Sequence, residues 1–88
     1  MKSKYVFEKM ELDGEIVAVP VGDNANDLHS VLYLNDEALR ILELLQEETT
    51  EKDIVSQLLT EYEGTEEIIS SLVHTFIERL RTEGFIVE

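Results

Sequence analysis

The chain has 88 residues, 43% of them hydrophobic, and its 20 acidic and seven basic side chains give a net charge of −13. A chain of this length holds one core, so we expect residues 1–88 to form a single domain, which excludes a catalytic cleft between domains. The absence of cysteine excludes disulfide frameworks and thiolate metal sites, and the acidic charge argues against DNA, RNA and anionic membranes as partners.

The strand half of the chain, residues 1–34, begins with a predicted hairpin. Two apolar-rich runs, residues 5–12 and 15–21, flank Asp13-Gly14. Asp-Gly between such runs favours a type I′ turn, because that turn needs positive φ at both central residues. The sequence therefore predicts a two-stranded antiparallel ribbon.

A third strand is predicted at residues 29–34, after a polar, turn-forming loop at residues 22–28. Its period of two divides the side chains between two faces, with Ser30, Leu32 and Leu34 on one and Val31 and Tyr33 on the other. The pattern alone leaves open which face meets the rest of the domain. Together with the hairpin, this strand completes an antiparallel meander in which it lies at one edge.

The helical half, residues 35–88, is divided into three helices by its capping residues. Each helix follows a side chain that can accept a hydrogen bond from the first turn, namely Asn35, Thr50 and Thr65. We expect the first helix to end near residues 46–48, the second at a left-handed Gly64, and the third just before Gly84. Residues 85–87 remain as an apolar tail, either a short strand or an extended segment that closes the core.

The third helix carries the widest apolar surface of the three. At 100° per residue, its apolar side chains spread over an arc of about 180°, wider than the roughly 100° stripe of a surface helix. These side chains are Ile68, Ile69, Leu72, Val73, Phe76, Ile77 and Leu80. Either the whole arc is core, because the helix is central in a small bundle, or its margin is available to a partner.

The sequence offers few groups with catalytic or metal-binding potential. His29 lies at the start of a strand and His74 on the polar side of its helix, and neither has a second His at metal-ligand spacing. The pair Glu66-Glu67 lies at a helix start, where solvated carboxylates are commoner than acid–base groups. The sequence contains no phosphate loop, nucleophile elbow or dinucleotide motif. We therefore predict no catalytic residues, no metal, no cofactor and no enzymatic activity.

Hydropathy and charge bear on location and on partners. No apolar segment of signal-peptide length follows Met1, since the longest apolar run covers residues 16–21. We therefore expect a soluble, cytoplasmic protein. The acidic charge has two interpretations: it keeps a small domain soluble, or it steers the domain toward positive charge on a partner.

The order and spacing of these elements resemble the PqqD family, the small proteins named for pyrroloquinoline quinone biosynthesis. The resemblance covers residues 31–87, from VLYLNDEALRILELLQEETTEKDIVSQLLTEYE through the last helix to RTEGFIV. It consists of a strand ending in leucine, an Asn-capped helix, a Thr-capped helix, and a long helix followed by glycine and an apolar pair. It implies an α+β, winged-helix-like fold, with a three-stranded antiparallel sheet followed by a three-helix bundle.

The resemblance also implies a role as a recognition element for ribosomally synthesised, post-translationally modified peptides. In the family, the leader of the precursor peptide binds as a strand added to the third strand, in a groove against the third helix. The domain presents the leader to a modifying enzyme, often a radical-SAM enzyme. Carried over to this sequence, the peptide-binding residues are Ser30, Val31, Leu32, Tyr33 and Leu34 of the strand, and Ile69, Val73, Phe76 and Ile77 of the groove wall. Tyr33 is the expected principal contact, because an aromatic ring with a polar tip suits an interface.

Two other functions and one assembly stay open at this point. A winged helix can bind DNA, but the second helix offers only Lys52 to phosphates and the third only Arg79 and Arg81. Alternatively, the domain is a scaffold or regulatory subunit that contacts only a partner protein through the margin of the third helix. Two copies would also form a homodimer if their edge strands paired.

The net charge predicts how peptide binding responds to salt. A domain with a charge of −13 attracts leaders that carry basic residues near their apolar anchors. Raising the ionic strength from about 0.01 M to about 0.15 M should then weaken binding, because salt screens exposed charges. Calorimetric titration with a leader peptide at both salt concentrations measures the effect. A dissociation constant that is the same at both would contradict the steering interpretation.

Overall fold

The computed structural model describes residues 1–21 and 32–88, apart from the side chain of Tyr33. In chain order the elements are β1 (Lys2–Ser3), β2 (Val6–Leu12), β3 (Glu15–Val21), β4 (Leu32–Leu34), α1 (Asp36–Leu44), α2 (Glu51–Glu61), α3 (Glu66–Thr82) and β5 (Ile86–Val87). None of the helices in these ranges combines the length and hydrophobicity needed to cross a bilayer.

The strands form two antiparallel sheets. The larger has the order β2-β3-β4, and the smaller pairs β1 with β5. The turn between β2 and β3 lies at Asp13 and Gly14, whose φ angles of 51° and 83° are both positive, as the Asp-Gly signal predicts. In the larger sheet, Ala18 of β3 lies opposite Leu32 of β4. The predicted loop at 22–28 and the first half of the predicted third strand, 29–31, lie outside the described residues.

The predicted α+β class with three helices is confirmed. The predicted sheet arrangement agrees only in part, because a second sheet exists in which Ser3 lies opposite Ile86 and Lys2 opposite Val87. Each of its strands is two residues long, too short to show an alternating pattern. The apolar tail is thus a short strand, one of the two forms that the sequence allowed.

The larger sheet has one face on the core. Leu32 and Leu34 of β4 and Ala18 of β3 are buried in the hydrophobic core cluster. On the opposite face of the β2–β3 hairpin, Val6 and Leu12 are more than half exposed. The hairpin therefore presents an apolar face away from the helices.

All three helices begin at the predicted capping residues. The Oδ1 atom of Asn35 and the Oγ1 atoms of Thr50 and Thr65 each accept a hydrogen bond from the backbone N–H three positions later, at 2.8, 3.1 and 3.2 Å. These bonds satisfy N–H groups that the first helical turn leaves without a partner.

The helix ends match the sequence predictions less closely than the helix starts do. After α3, the N–H of Phe85 donates to the carbonyl of Leu80 at 2.8 Å and that of Gly84 to Arg81 at 3.1 Å, the hydrogen-bond pair of a Schellman motif. Gly84 has the required positive φ of 82°. The expected left-handed stop at Gly64 is wrong, because its φ is 150° and α2 already ends at Glu61.

An ion pair links the first two helices at the surface. Arg40 of α1 donates from Nε and Nη2 to the two carboxylate oxygens of Glu61 of α2, at 2.8 and 3.0 Å. These hydrogen bonds hold the pKa of the Glu61 carboxyl below its usual value. Both side chains are about one-third exposed, so the pair contributes little to the stability of the fold.

The C-terminal tail closes the core. Phe85 is 1% exposed, and its ring meets Tyr5 and Phe7 edge-on, with ring centroids 6.1 and 5.7 Å apart. The backbone joins the same region, since the N–H of Lys4 donates to the carbonyl of Phe85 at 2.7 Å. The two ends of the described chain are therefore fastened to each other.

Truncation of Phe85 tests this closure. Phe85→Ala should lower the free energy of unfolding by about 3–5 kcal/mol, because it removes a fully buried ring and leaves a cavity. Phe85→Leu, a milder change, should cost less and keeps the measurement possible if the alanine variant does not fold. Urea unfolding followed by circular dichroism measures both, with Val87→Ala, 49% exposed, as the control. Equal costs for Phe85→Ala and Val87→Ala would show that the tail is not part of the core.

Candidate functional site

The predicted strand residues fall into three groups in the structure. Leu32 and Leu34 are 2% and 8% exposed, so their side chains belong to the core and only their backbone is available to a peptide. Tyr33 is in β4, opposite Val17 of β3, but its side chain lies outside the described part of the chain, as do Ser30 and Val31 entirely.

The predicted groove wall on α3 is mostly core. Ile69, Val73 and Ile77 are 3%, 0% and 0% exposed, because they occupy the side of the apolar arc that packs inside the bundle. Phe76 is 9% exposed and has a surface edge. The expectation that all four form one accessible wall is therefore not met, and a direct peptide contact at the three core positions stays a prediction.

A groove does exist on the neighbouring side of α3. It is open, has a volume of about 580 Å³, and runs between α3 and the start of α1. The residues that line it are Asn35 and Ala38 of α1, and Glu67, Ile68, Ser71, Leu72, Thr75, Phe76 and Arg79 of α3. We call this feature the α1–α3 groove.

The apolar part of the α1–α3 groove follows a regular spacing. Ile68, Leu72 and Phe76 recur every four residues and so form one row along α3. Ile68 is 61% exposed, whereas Leu72 is only partly exposed and Phe76 is nearly buried. The apolar row is thus increasingly buried from Ile68 to Phe76.

The sequence carries a signal for this row in the width of the apolar arc of α3. The apolar arc has two margins, and Ile68 and Leu72 lie at one of them. On that margin, Ser71 and Thr75 continue the surface with short polar side chains, which leave room for another chain. The accessible margin of the arc was therefore recognisable, but the sequence did not tell which margin the bundle would cover.

The open edge of β4 meets the groove at one residue. β4 pairs with β3 along one edge, and no strand of the described chain pairs with its other edge. Asn35 follows β4 directly, caps α1 through its hydrogen bond to the Ala38 N–H, and lines the groove. Strand edge and groove are thus joined without an intervening loop.

The groove carries one acidic and one basic side chain among its described lining residues. Glu67 lies in the first turn of α3 and Arg79 in the last. The Arg79 Nε atom is 3.8 Å from Oε2 of Glu83, and both side chains are about half exposed. Charges of opposite sign thus stand at the two ends of the apolar row.

Other polar clusters in the described ranges do not assemble a reactive centre. His74 contacts Glu51 through Nδ1 at 3.2 Å, with both side chains largely exposed. Within residues 1–21 and 32–88, no three His, Asp or Glu side chains come close enough to hold a metal ion. The α1–α3 groove and the β4 edge are adjacent at Asn35, and together they offer an extended ligand both an apolar surface and a strand edge.

Comparison with known proteins identifies the family and the fold of this chain. The family model for coenzyme PQQ synthesis protein D (PqqD) matches residues 15–86. The chain belongs to the PqqD family. This PqqD-family chain has the same fold as TbiB1, solved in complex with the TbiA(beta) leader peptide: the TM-score is 0.70 at 20% identity, over 99% of this chain and 100% of that one. No curated protein matches the chain.

Two adjacent isoleucines of this PqqD-family chain test the division of α3 between core and groove. Ile69→Ala should lower the free energy of unfolding by about 2–5 kcal/mol, because the side chain is buried. Ile68→Ala should change it by less than about 0.5 kcal/mol, because the side chain is exposed. The substitution is the same and the positions are neighbours, so each variant controls for the other in thermal and urea unfolding. A larger loss at Ile68 than at Ile69 would contradict the assignment of the two faces.

Proposed function

We propose that this chain is a non-catalytic peptide-binding protein that binds the leader of a ribosomally synthesised precursor peptide and presents it to a modifying enzyme. The observation that carries the proposal is the junction of an open strand edge with an apolar groove at Asn35. The leader would add a strand to β4 and place side chains in the α1–α3 groove. Membership of the PqqD family and the fold shared with a leader-bound protein support it.

Strand addition supplies affinity that depends little on the peptide sequence. The backbone N–H and C=O groups of an antiparallel strand alternate in direction, so about half of those in β4 face away from β3. An extended peptide would satisfy them with its own backbone, while side-chain pockets select among peptides. In this arrangement Leu32, Tyr33 and Leu34 contribute through their backbone, together with Ser30 and Val31 if the strand continues toward them.

The groove supplies side-chain recognition. Ile68, Leu72 and Phe76 offer an apolar surface to anchor residues of the leader. Ile69, Val73 and Ile77 of the same helix are buried and fix α3 to the core. Asn35 leaves no loop between edge and helix, so the site is formed before binding and little ordering entropy is lost. We further propose that the β2–β4 sheet and the helices form a single winged-helix-like domain, and that the enzyme is a radical-SAM enzyme.

A second candidate function is a scaffold that contacts only a partner protein. It is favoured by the outward face of the β2–β3 hairpin, where Val6, Met10 and Leu12 are exposed. An apolar sheet face of this kind is suited to a protein interface. The two candidates use different surfaces, so variants on each surface separate them.

Peptide titration tests the proposed function. The isotope-labelled chain is titrated with a synthetic candidate leader peptide, and amide shifts are followed. Shifts should be confined to residues 30–35, to Ala38 and to the groove side of α3. Ile68→Lys should weaken binding roughly tenfold or more, because loss of an apolar interface anchor costs more than about 1 kcal/mol and an ammonium group would be desolvated.

The matched control is Leu12→Lys on the hairpin face, where the leucine is also exposed. It should leave leader binding unchanged. Shifts that cluster on the hairpin face, or a loss of binding in Leu12→Lys but not in Ile68→Lys, would reject the groove as the peptide site. If the chain does not bind the leader but binds the modifying enzyme, the result would favour the scaffold function.

A further inference from the structure

The α1–α3 groove has a direction that is set by charge. Glu67 lies at the end where α3 begins, Arg79 lies at the end where it finishes, and the row Ile68, Leu72 and Phe76 lies between them. An apolar groove without charges would accept a peptide in either orientation. Opposite charges at the two ends remove that symmetry.

Arg79 is the arginine of this chain with the loosest carboxylate contact. Arg40 holds Glu61 through two hydrogen bonds of 2.8 and 3.0 Å, and Arg81 donates to Glu88 at 2.6 Å. The contact of Arg79 with Glu83 is 3.8 Å long, near the limit for an ion pair. Its guanidinium group can therefore turn toward a carboxylate of a bound peptide without breaking a strong hydrogen bond.

The distance between the two charges fixes a spacing in the ligand. Twelve positions separate Glu67 from Arg79 in α3, which corresponds to about 18 Å along the helix axis. An extended peptide rises about 3.3 Å per residue, so about five or six of its residues span that length.

We propose that the recognised peptide segment carries a basic side chain at the Glu67 end and an acidic side chain at the Arg79 end, about five or six residues apart, with apolar anchors between them. This proposal rests on the proposed function and names its substrate class. Because the chain has a net charge of −13, a carboxylate of the peptide is repelled by most of the surface. Arg79 then determines where the acidic residue of the peptide is tolerated.

Selection from a random peptide library tests the proposal without knowledge of the natural client. A phage-displayed library of dodecapeptides is selected on the full chain, and the bound sequences are aligned. Selected peptides should carry a Lys or Arg at one end and an Asp or Glu at the other, with apolar residues between them. All should have the same order from N- to C-terminus and the stated spacing. Selection on Arg79→Glu should replace the acidic position by a basic one, and selection on Glu67→Lys should replace the basic position by an acidic one.

Each variant has a matched control. Lys52→Glu makes the same change in net charge as Arg79→Glu, but Lys52 lies in α2, away from the groove. Glu66→Lys makes the same substitution as Glu67→Lys at the adjacent residue, but Glu66 faces the cleft between α2 and α3. Both controls should select the same peptides as the parent chain.

A charge-swap cycle with one selected peptide measures how much Arg79 contributes to peptide binding. Arg79→Glu should weaken its binding about tenfold, and replacing the acidic residue of the peptide with lysine should restore most of that loss. A change of this size exceeds that of an ordinary exposed ion pair, because reversal replaces attraction by repulsion. If Arg79→Glu and Lys52→Glu weaken binding equally, the effect is one of net charge and the proposed order is rejected.

The outcomes separate this proposal from the proposed function. If the selected peptides require Ile68 for binding but share no pattern of charges, the proposed order of charges is rejected and peptide binding in the groove is retained. Failure to select any peptide, with the chain folded by circular dichroism, would reject both. Selected peptides that carry the two charges in the predicted order, with matched changes in the two groove variants, would support both.

Discussion

The direct junction between β4 and α1 is the constraint on which the rest of the site depends. Asn35 belongs to neither element, yet its side chain accepts the Ala38 N–H at 2.8 Å and so starts the helix one residue after the strand ends. Leu34 on one side of it is in the core sheet, and Ala38 on the other lines the groove. A longer connection would let the strand edge move relative to α3, and a peptide that bound both would first have to order them.

The wide apolar arc of α3 is divided between the core and the α1–α3 groove. Val73, Ile77 and Leu80 are fully buried and hold the bundle together, whereas Ile68 and Leu72 lie on the margin that the bundle does not cover. In a chain of 88 residues few elements are available, so a single helix both fills the core and lines the α1–α3 groove. An exposed isoleucine in the first turn is therefore expected where the surface has a ligand.

Local signals in the sequence predicted much of the fold. Asp13-Gly14 fixed the hairpin because its turn requires positive φ, and Asn35, Thr50 and Thr65 marked the helix starts because their side chains replace missing backbone partners. The pairing of β1 with β5 was missed because it joins the two ends of the chain, which no local pattern reports. For the site, periodicity predicts the width of the apolar arc on α3 but not which margin of the arc neighbouring elements cover. It therefore does not distinguish the buried Ile69 from the exposed Ile68.

Strand addition creates a problem of selectivity that the groove can solve. Backbone pairing along β4 would accept almost any extended peptide, so discrimination has to come from side chains. An apolar row alone discriminates weakly, since hydrophobic contact has no direction. In the proposed order of charges, Glu67 and Arg79 at opposite ends of the row would add both direction and spacing. The negative charge of the remaining surface would make Arg79 more discriminating. A small acidic domain can in this way combine a permissive backbone contact with a selective groove.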